Sequence, residues 1–168
     1  ALAAKNENHQ VFYHKLGTSQ AADKLVYEDT ANLQRFHTLR TTDDEAYAIL
    51  YVSDRGKGMD GNALFYLPKG GTKFEPIVAE VSNFSYGVID NVAGGFIVET
   101  NENAPNSKVL KYDLKSKQWS TILPEKPEPL KGISIAGGKL FATYLKDVSS
   151  LVQVYTLTGK LEREVALP

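Results

Sequence analysis

Five stretches of this chain carry residue types that do chemistry elsewhere. Gly56-Lys57-Gly58-Met59-Asp60-Gly61 matches the GxGxxG pattern that cradles a dinucleotide pyrophosphate. That chemistry needs a helix directly behind the glycines, so that the phosphates meet free N–H groups at its start. Here Asn62 leads straight into the strand-like run Ala63-Leu64-Phe65-Tyr66. A protein-kinase glycine loop does sit between strands, but neither an HRD nor a DFG motif follows it. The stretch therefore reads as a long, mobile hairpin loop, and no cofactor is expected. Gly132-Ile133-Ser134-Ile135-Ala136 approaches the nucleophile elbow of serine hydrolases. It lacks the final glycine and falls inside a strand rather than at a strand-to-helix turn, so Ser134 reads as a strand residue. His9, His14 and His37 are spread over separate segments without the close spacings of a zinc site. Asp43-Asp44-Glu45 lies between two strands, where aspartates cap turns. Asn83-Phe84-Ser85 is a glycosylation acceptor only in a secreted eukaryotic protein.

The elements that would carry these residues come from a repeat. Tyr13, Tyr66, Tyr112 and Tyr155 each close an apolar run and precede a turn, at spacings of 53, 46 and 43 residues. Around them lie runs of aromatic and β-branched residues, separated by Gly, Asp, Asn, Lys and Pro, which predict strands. Residues 36–40, 47–53, 63–67 and 74–78 form one set, 86–90, 96–100, 109–114 and 119–123 a second, and 133–136, 140–145, 151–157 and 161–166 a third. Runs 11–16 and 25–28 are the tail of an earlier set, making fourteen strands. Residues 18–23 are short and polar, and no window sustains an apolar stripe at helical spacing. Four short antiparallel strands per repeat of roughly 40–50 residues is the signature of a β-propeller blade. The fold class is all-β, a propeller fragment of about three and a half four-stranded blades. It is divided as a half blade at 1–32 and blades at 33–80, 81–127 and 128–168. Such a piece is not a closed ring, which leaves the remainder to another segment or to a second copy.

Composition narrows the function. Among 168 residues, Lys plus Arg number 19 and Asp plus Glu 20, a net charge of -1 without the basic footprint of a nucleic-acid binder. The aromatic residues, 10% of the chain, follow the strand periodicity and read as blade packing rather than base-stacking platforms. No apolar run approaches the roughly 20 residues that cross a bilayer as a helix, so no membrane partner is expected. The absence of cysteine excludes disulfides, thiolate nucleophiles and cysteine-ligated zinc. Ala1-Leu2-Ala3-Ala4, followed at once by Lys5-Asn6-Glu7-Asn8, does not have signal-peptide form, and both ends read as cuts in a longer chain.

Five collinear stretches then resemble one family. Val11-Phe12-Tyr13-His14-Lys15-Leu16-Gly17-Thr18 with Asp23-Lys24-Leu25-Val26-Tyr27-Glu28 is similar to the strand, "LGT" turn and "VYE" strand of prolyl oligopeptidases. Asn62-Ala63-Leu64-Phe65-Tyr66 follows in order, then Thr100-Asn101 with Ala104-Pro105-Asn106 and Leu110, Ala142-Thr143-Tyr144-Leu145-Lys146-Asp147, and the strand ending at Ala166-Leu167-Pro168. The resemblance implies a seven-bladed propeller, of which this chain is the middle and later part. Its partner would be an α/β-hydrolase domain of the same parent chain, carrying a Ser-Asp-His triad that cleaves after proline. The propeller would cover the catalytic pocket and admit short Pro-containing peptides while excluding folded proteins. No catalytic residue lies in this sequence, so the fragment by itself is expected to be inactive. The family's substrate-facing basic residue, near the hairpin between a blade's second and third strands, corresponds to Arg55 in Ser53-Asp54-Arg55-Gly56-Lys57. A guanidinium there would hydrogen-bond peptide carbonyls or a carboxylate; the alternative is a solvated loop arginine. A cytoplasmic or periplasmic setting is also implied. Two alternatives stay open: a stand-alone propeller that scaffolds other proteins, and a homodimer in which two copies complete the open propeller.

Overall fold

The computed structural model describes residues 6–166, and of Arg55 only the backbone. Fourteen strands organise it into four antiparallel sheets. β1 (Val11–Tyr13) pairs with β2 (Lys24–Tyr27), and a short 3₁₀ turn, Gln20–Ala22, lies between them. β3 (Arg35–Thr41), β4 (Tyr47–Asp54), β5 (Ala63–Pro68) and β6 (Glu75–Val78) form a meander in that order. The same up-and-down order recurs in β7 (Tyr86–Val92), β8 (Gly95–Thr100), β9 (Lys108–Asp113) and β10 (Trp119–Leu123). It recurs again in β11 (Leu130–Ala136), β12 (Lys139–Lys146), β13 (Ser149–Thr156) and β14 (Leu161–Val165). The chain is all-β, a partial propeller of three four-stranded sheets and one two-stranded sheet. It divides into two compact units, the first ending at Asn83 and the second starting at Phe84.

The tyrosine period has a structural cause. Tyr66, Tyr112 and Tyr155 stand in the third strands β5, β9 and β13, each 4% exposed, and pair across to Ile49, Phe96 and Leu140 in the second strands. Second and third strands are the central strands of each four-stranded sheet, paired on both edges, and they hold most of the buried apolar residues. Outer strands are more polar: β14, Leu-Glu-Arg-Glu-Val, is almost wholly exposed, and β6 carries Pro76, which an edge strand tolerates because one row of its N–H groups has no ladder partner.

In the second unit, Ile97, Val109 and Leu123 of one sheet pack with Leu130, Leu140, Ala142, Tyr144 and Tyr155 of the next. The hairpin between β13 and β14 docks so closely that a Cβ on Gly159 would lie 2.1 Å from the Ile122 carbonyl oxygen, and its φ of +87° also requires glycine. A polar network crosses the same sheet. Lys126 Nζ donates to Gln153 Oε1 (2.7 Å) and Tyr155 Oη (2.6 Å) and lies 4.5 Å from the Tyr144 ring centroid, while Gln153 Nε2 donates to Glu164 Oε1 (2.8 Å). Burial, then the hydrogen bond with Tyr155, pushes the Tyr144 hydroxyl well above the ordinary phenol range. In the first unit Leu50, Val52, Ala63 and Val81 form the core, with Tyr27, Leu39, Met59, Phe65 and Phe74 packed on it.

Candidate functional site

Two hairpins occupy the same topological position, between the second and third strands of their sheets. The first joins β4 to β5 and starts with a 3₁₀ turn, Arg55–Lys57. Its base is held by a charged cluster. Arg35, opposite Asp54 in the β3–β4 ladder, donates from Nε to Asp54 Oδ2 (3.2 Å) and from a terminal nitrogen to Asp29 Oδ2 (3.1 Å). Asp29 also accepts from the Asn32 backbone and side chain. Burial alone would raise the Asp29 carboxyl, but these hydrogen bonds and the Arg35 charge outweigh it and hold the group below its ordinary value. Asp54, 5% exposed, receives the Lys57 backbone N–H at 3.3 Å. The turn passes so close to the cluster that a Cβ on Gly56 would stand 2.7 Å from Gln34 Oε1 and 3.3 Å from Asp54 Oδ1. Arg55 thus starts the hairpin directly after a braced aspartate; its side chain lies outside the described residues.

The second hairpin joins β8 to β9 and frames a cleft of about 310 Å³ lined by Ser85, Tyr86, Gly87, Glu99, Thr100, Asn101 and Ser107. Glu99 pairs with Gly87 on one side and Val109 on the other. Burial pushes its carboxyl above the ordinary carboxylate range, opposed by a hydrogen bond from the Ser107 hydroxyl. Burial, followed by the charge and hydrogen bond of Glu102, pushes the Tyr86 hydroxyl up to about 12. Asn101 Oδ1 accepts the Ser85 N–H at 2.8 Å, linking two of the lining residues.

The other chemistry-bearing residues fall as follows. Gly61 is followed within two residues by β5, a strand. Ser134 sits inside β11 opposite Phe141. Asp44 accepts from the Thr42 hydroxyl and the Ala46 N–H in the β3–β4 turn. Asn83 Oδ1 accepts the Asp60 N–H at 3.4 Å. Two of the histidines meet although they are 28 residues apart: the rings of His9 and His37 have centroids 5.8 Å apart, and His37 Nδ1 lies 2.9 Å from the His9 carbonyl oxygen. Among the described residues no three of His, Asp and Glu converge as a metal site would require. Sequence reasoning missed the pairing of Glu99 with Gly87; the available signal was a glycine inside the strand Tyr86–Val92.

The prolyl oligopeptidase N-terminal β-propeller model matches residues 2–168. The chain belongs to that family. Over 171 residues this propeller chain is 32% identical to the prolyl endopeptidase of Elizabethkingia miricola, covering 99% of this chain and 24% of that protein. Prolyl oligopeptidase A of Galerina marginata is 30% identical over 161 residues, covering 89% of this chain and 21% of that protein. Among solved structures, apo prolyl oligopeptidase B from Galerina marginata superposes with a TM-score of 0.87 at 27% identity over 98% of this chain and 24% of that one. A prolyl endopeptidase structure superposes with a TM-score of 0.85 at 27% identity over 97% of this chain and 24% of that one. The propeller chain spans about a quarter of the length of the curated relatives it matches.

Proposed function

We propose that this chain is one portion of a longer prolyl oligopeptidase-like serine endopeptidase, and that it gates the access of short peptides to a separate α/β-hydrolase domain that cleaves after proline. The observation that carries the reading is the family match along residues 2–168, joined to TM-scores of 0.85 and 0.87 with prolyl endo- and oligopeptidases. Peptide is the substrate class it brings, since prolyl oligopeptidase B is solved with a 35mer hydrolysis and macrocyclization substrate. The acyl-transfer chemistry belongs to the hydrolase domain, where a serine attacks the carbonyl after proline and a histidine shuttles the proton. The blades divide at 33–80, 81–127 and 128–168, with a half blade at 1–32. Arg55 contacts the peptide, its guanidinium donating to a carbonyl or carboxylate from a hairpin whose base Asp54 and Arg35 hold. Phe12 and Tyr13 of β1, Leu25 of β2 and Leu16 between the strands are exposed apolar or aromatic residues, which the rest of the same chain covers in this reading and a second copy covers in the homodimer reading.

The test is hydrolysis by the full-length protein. It should release product from a short fluorogenic Pro-containing peptide and leave the same sequence uncut when displayed in a loop of a folded protein, while residues 1–168 alone release none. Arg55→Ala should lower kcat/KM about tenfold, mainly through KM, as loss of a charged hydrogen bond to substrate does. A full-length protein that cleaves neither substrate would return the interaction-scaffold reading, and sedimentation of that protein as a strict monomer removes the homodimer.

A further inference from the structure

Gly87 is an anomaly in β7. Glycine weakens a strand, and inside one it marks a bulge, a bend or the close approach of a ligand or another backbone. Its φ is not positive, and a Cβ built on it would meet nothing within 4 Å, so no neighbouring atom of the described structure requires glycine there. Its cross-strand partner is Glu99, and directly paired residues lie on one face of a sheet. The missing side chain therefore leaves open volume beside a carboxylate, within the cleft of about 310 Å³. Glu99 receives a hydrogen bond from the Ser107 hydroxyl, and among the described residues no Lys or Arg forms an ion pair with it. Glu102, bonded to the Tyr86 hydroxyl on the same rim, adds a second negative charge. A partly desolvated carboxylate with one hydroxyl donor gains most from a cation, which both compensates the lost hydration and supplies further donors. The remaining lining groups, the Ser85 hydroxyl and the Asn101 side chain among them, are neutral and polar, suited to the flanking backbone of an extended peptide.

We propose that the Gly87–Glu99 cleft is a subsite for a cationic side chain of the peptide substrate, an ammonium or guanidinium group seated against Glu99. The proposal rests on the reading of this chain as a peptide gate. It adds a charge preference to that gate: a basic residue at one position of the peptide is favoured over a neutral one of the same length.

The experiment uses the full-length protein and short fluorescein-labelled peptides containing proline, paired so that one carries lysine and the other norleucine at a single position, which is moved along the peptide. Uncleavable versions with a reduced scissile bond report binding by anisotropy, and cleavable norleucine peptides report turnover. At one position lysine should bind about tenfold tighter than norleucine, the size of one well-placed charge pair. Glu99→Gln should bring the pair to within about twofold, Glu99→Asp should keep part of the preference, and Gly87→Leu, which fills the cleft without touching its charge, should also abolish it. Absence of a lysine preference at every position, or a preference that survives both Glu99→Gln and Gly87→Leu, overturns the subsite. So does a lower Tm for Glu99→Gln with no lysine preference in the wild type, because the cation would then come from the same chain. Failure to cleave the norleucine peptides overturns the peptidase reading instead, while the binding series still decides the subsite.

Discussion

The hairpins β4–β5 and β8–β9 hold equivalent places in successive sheets, yet they are built on opposite plans. The β8–β9 loop is tied down along its length. Ala104 is 1% exposed, Asn106 N–H donates to Glu125 Oε1 at 2.7 Å, and Asn106 Nδ2 reaches the carbonyls of Lys126 and Pro127. The Asn106 carbonyl in turn accepts the Leu130 N–H, so the loop is riveted to the start of the next sheet. The β4–β5 loop is held more sparsely: Asp54 accepts the Lys57 N–H at its start, Met59 packs on the core, and the Asp60 and Gly61 N–H groups reach Asn83 Oδ1 and the Ser82 carbonyl at its end, while Gly56, Lys57 and Gly58 are exposed. A loop riveted throughout can hold a cleft of fixed shape beside Glu99. A loop with an exposed Gly56-Lys57-Gly58 stretch has fewer bonds that fix one shape and should open more readily.

The comparison breaks most completely at Arg35. Arg35→Ala would leave Asp29 and Asp54 as neighbouring carboxylates with little water, and should destabilise the protein by about 3 kcal/mol in urea unfolding. Hydrogen exchange should accelerate at Gly56 and Lys57 and stay slow at Ala104 and Ser107, because only the first hairpin loses its base. The converse variant, Asn106→Ala, removes both Nδ2 bonds and should cost about 2 kcal/mol, with faster exchange at Ala104 and Ser107 and none at Lys57. Equal acceleration in both hairpins for either variant would show that the two are not independently braced.

The two plans were unequally legible in the sequence. Strand number, order and the central strands could be read because the buried apolar, β-branched and aromatic residues concentrate in β4, β5, β8, β9, β12 and β13, with turn residues between them. The tyrosine period worked because the same packing position recurs in β5, β9 and β13. Edges were harder: β11 begins at Leu130 rather than 133, since Lys131 and Gly132 look like a turn and only their pairing with β12 makes them strand. The site was hardest. Arg55 emerged through family resemblance alone, and its brace was hidden because Asp29, Arg35 and Asp54 meet only once β3 and β4 pair in register. His9 and His37 looked unrelated for the same reason. Glu99 beside Gly87 is a cross-strand pair, and one-dimensional spacing carries no information about cross-strand neighbours.

A smaller effect sharpens the difference at the loop tip. Gly58 has φ +63° with nothing near its Cβ position, so Gly58→Ala meets no clash and tests backbone strain alone. It should cost about 1 kcal/mol by unfolding, and it should leave exchange in the β8–β9 loop unchanged.

The last distinction is one of pH, because all three histidines lie before β4, in the first unit. His37 is 4% exposed, and its Nδ1 lies 2.9 Å from the His9 carbonyl oxygen, which fixes the neutral tautomer with the proton on Nδ1. Nε2 is then a bare acceptor buried beside the edge of the Tyr27 ring, without a hydrogen-bond partner. A proton added there would create a buried cation whose new N–H has no acceptor, and burial accordingly holds the His37 imidazole below its ordinary value of 6.5. Above pH 6.5 folded and unfolded chains both keep this ring neutral, so the full stability is present. As pH falls through 6.5 the unfolded chain takes up the proton first, and stability declines until the folded ring's own lower value is reached, where the decline from this group levels off. Urea midpoints measured from pH 7.5 down to pH 5 should fall for the wild type and fall less for His37→Phe, which removes the titrating ring and keeps an aromatic against Tyr27. An identical pH slope in the two proteins would mean that the buried Nε2 takes its proton without cost, and would overturn the assignment of the acid-side loss of stability to this ring.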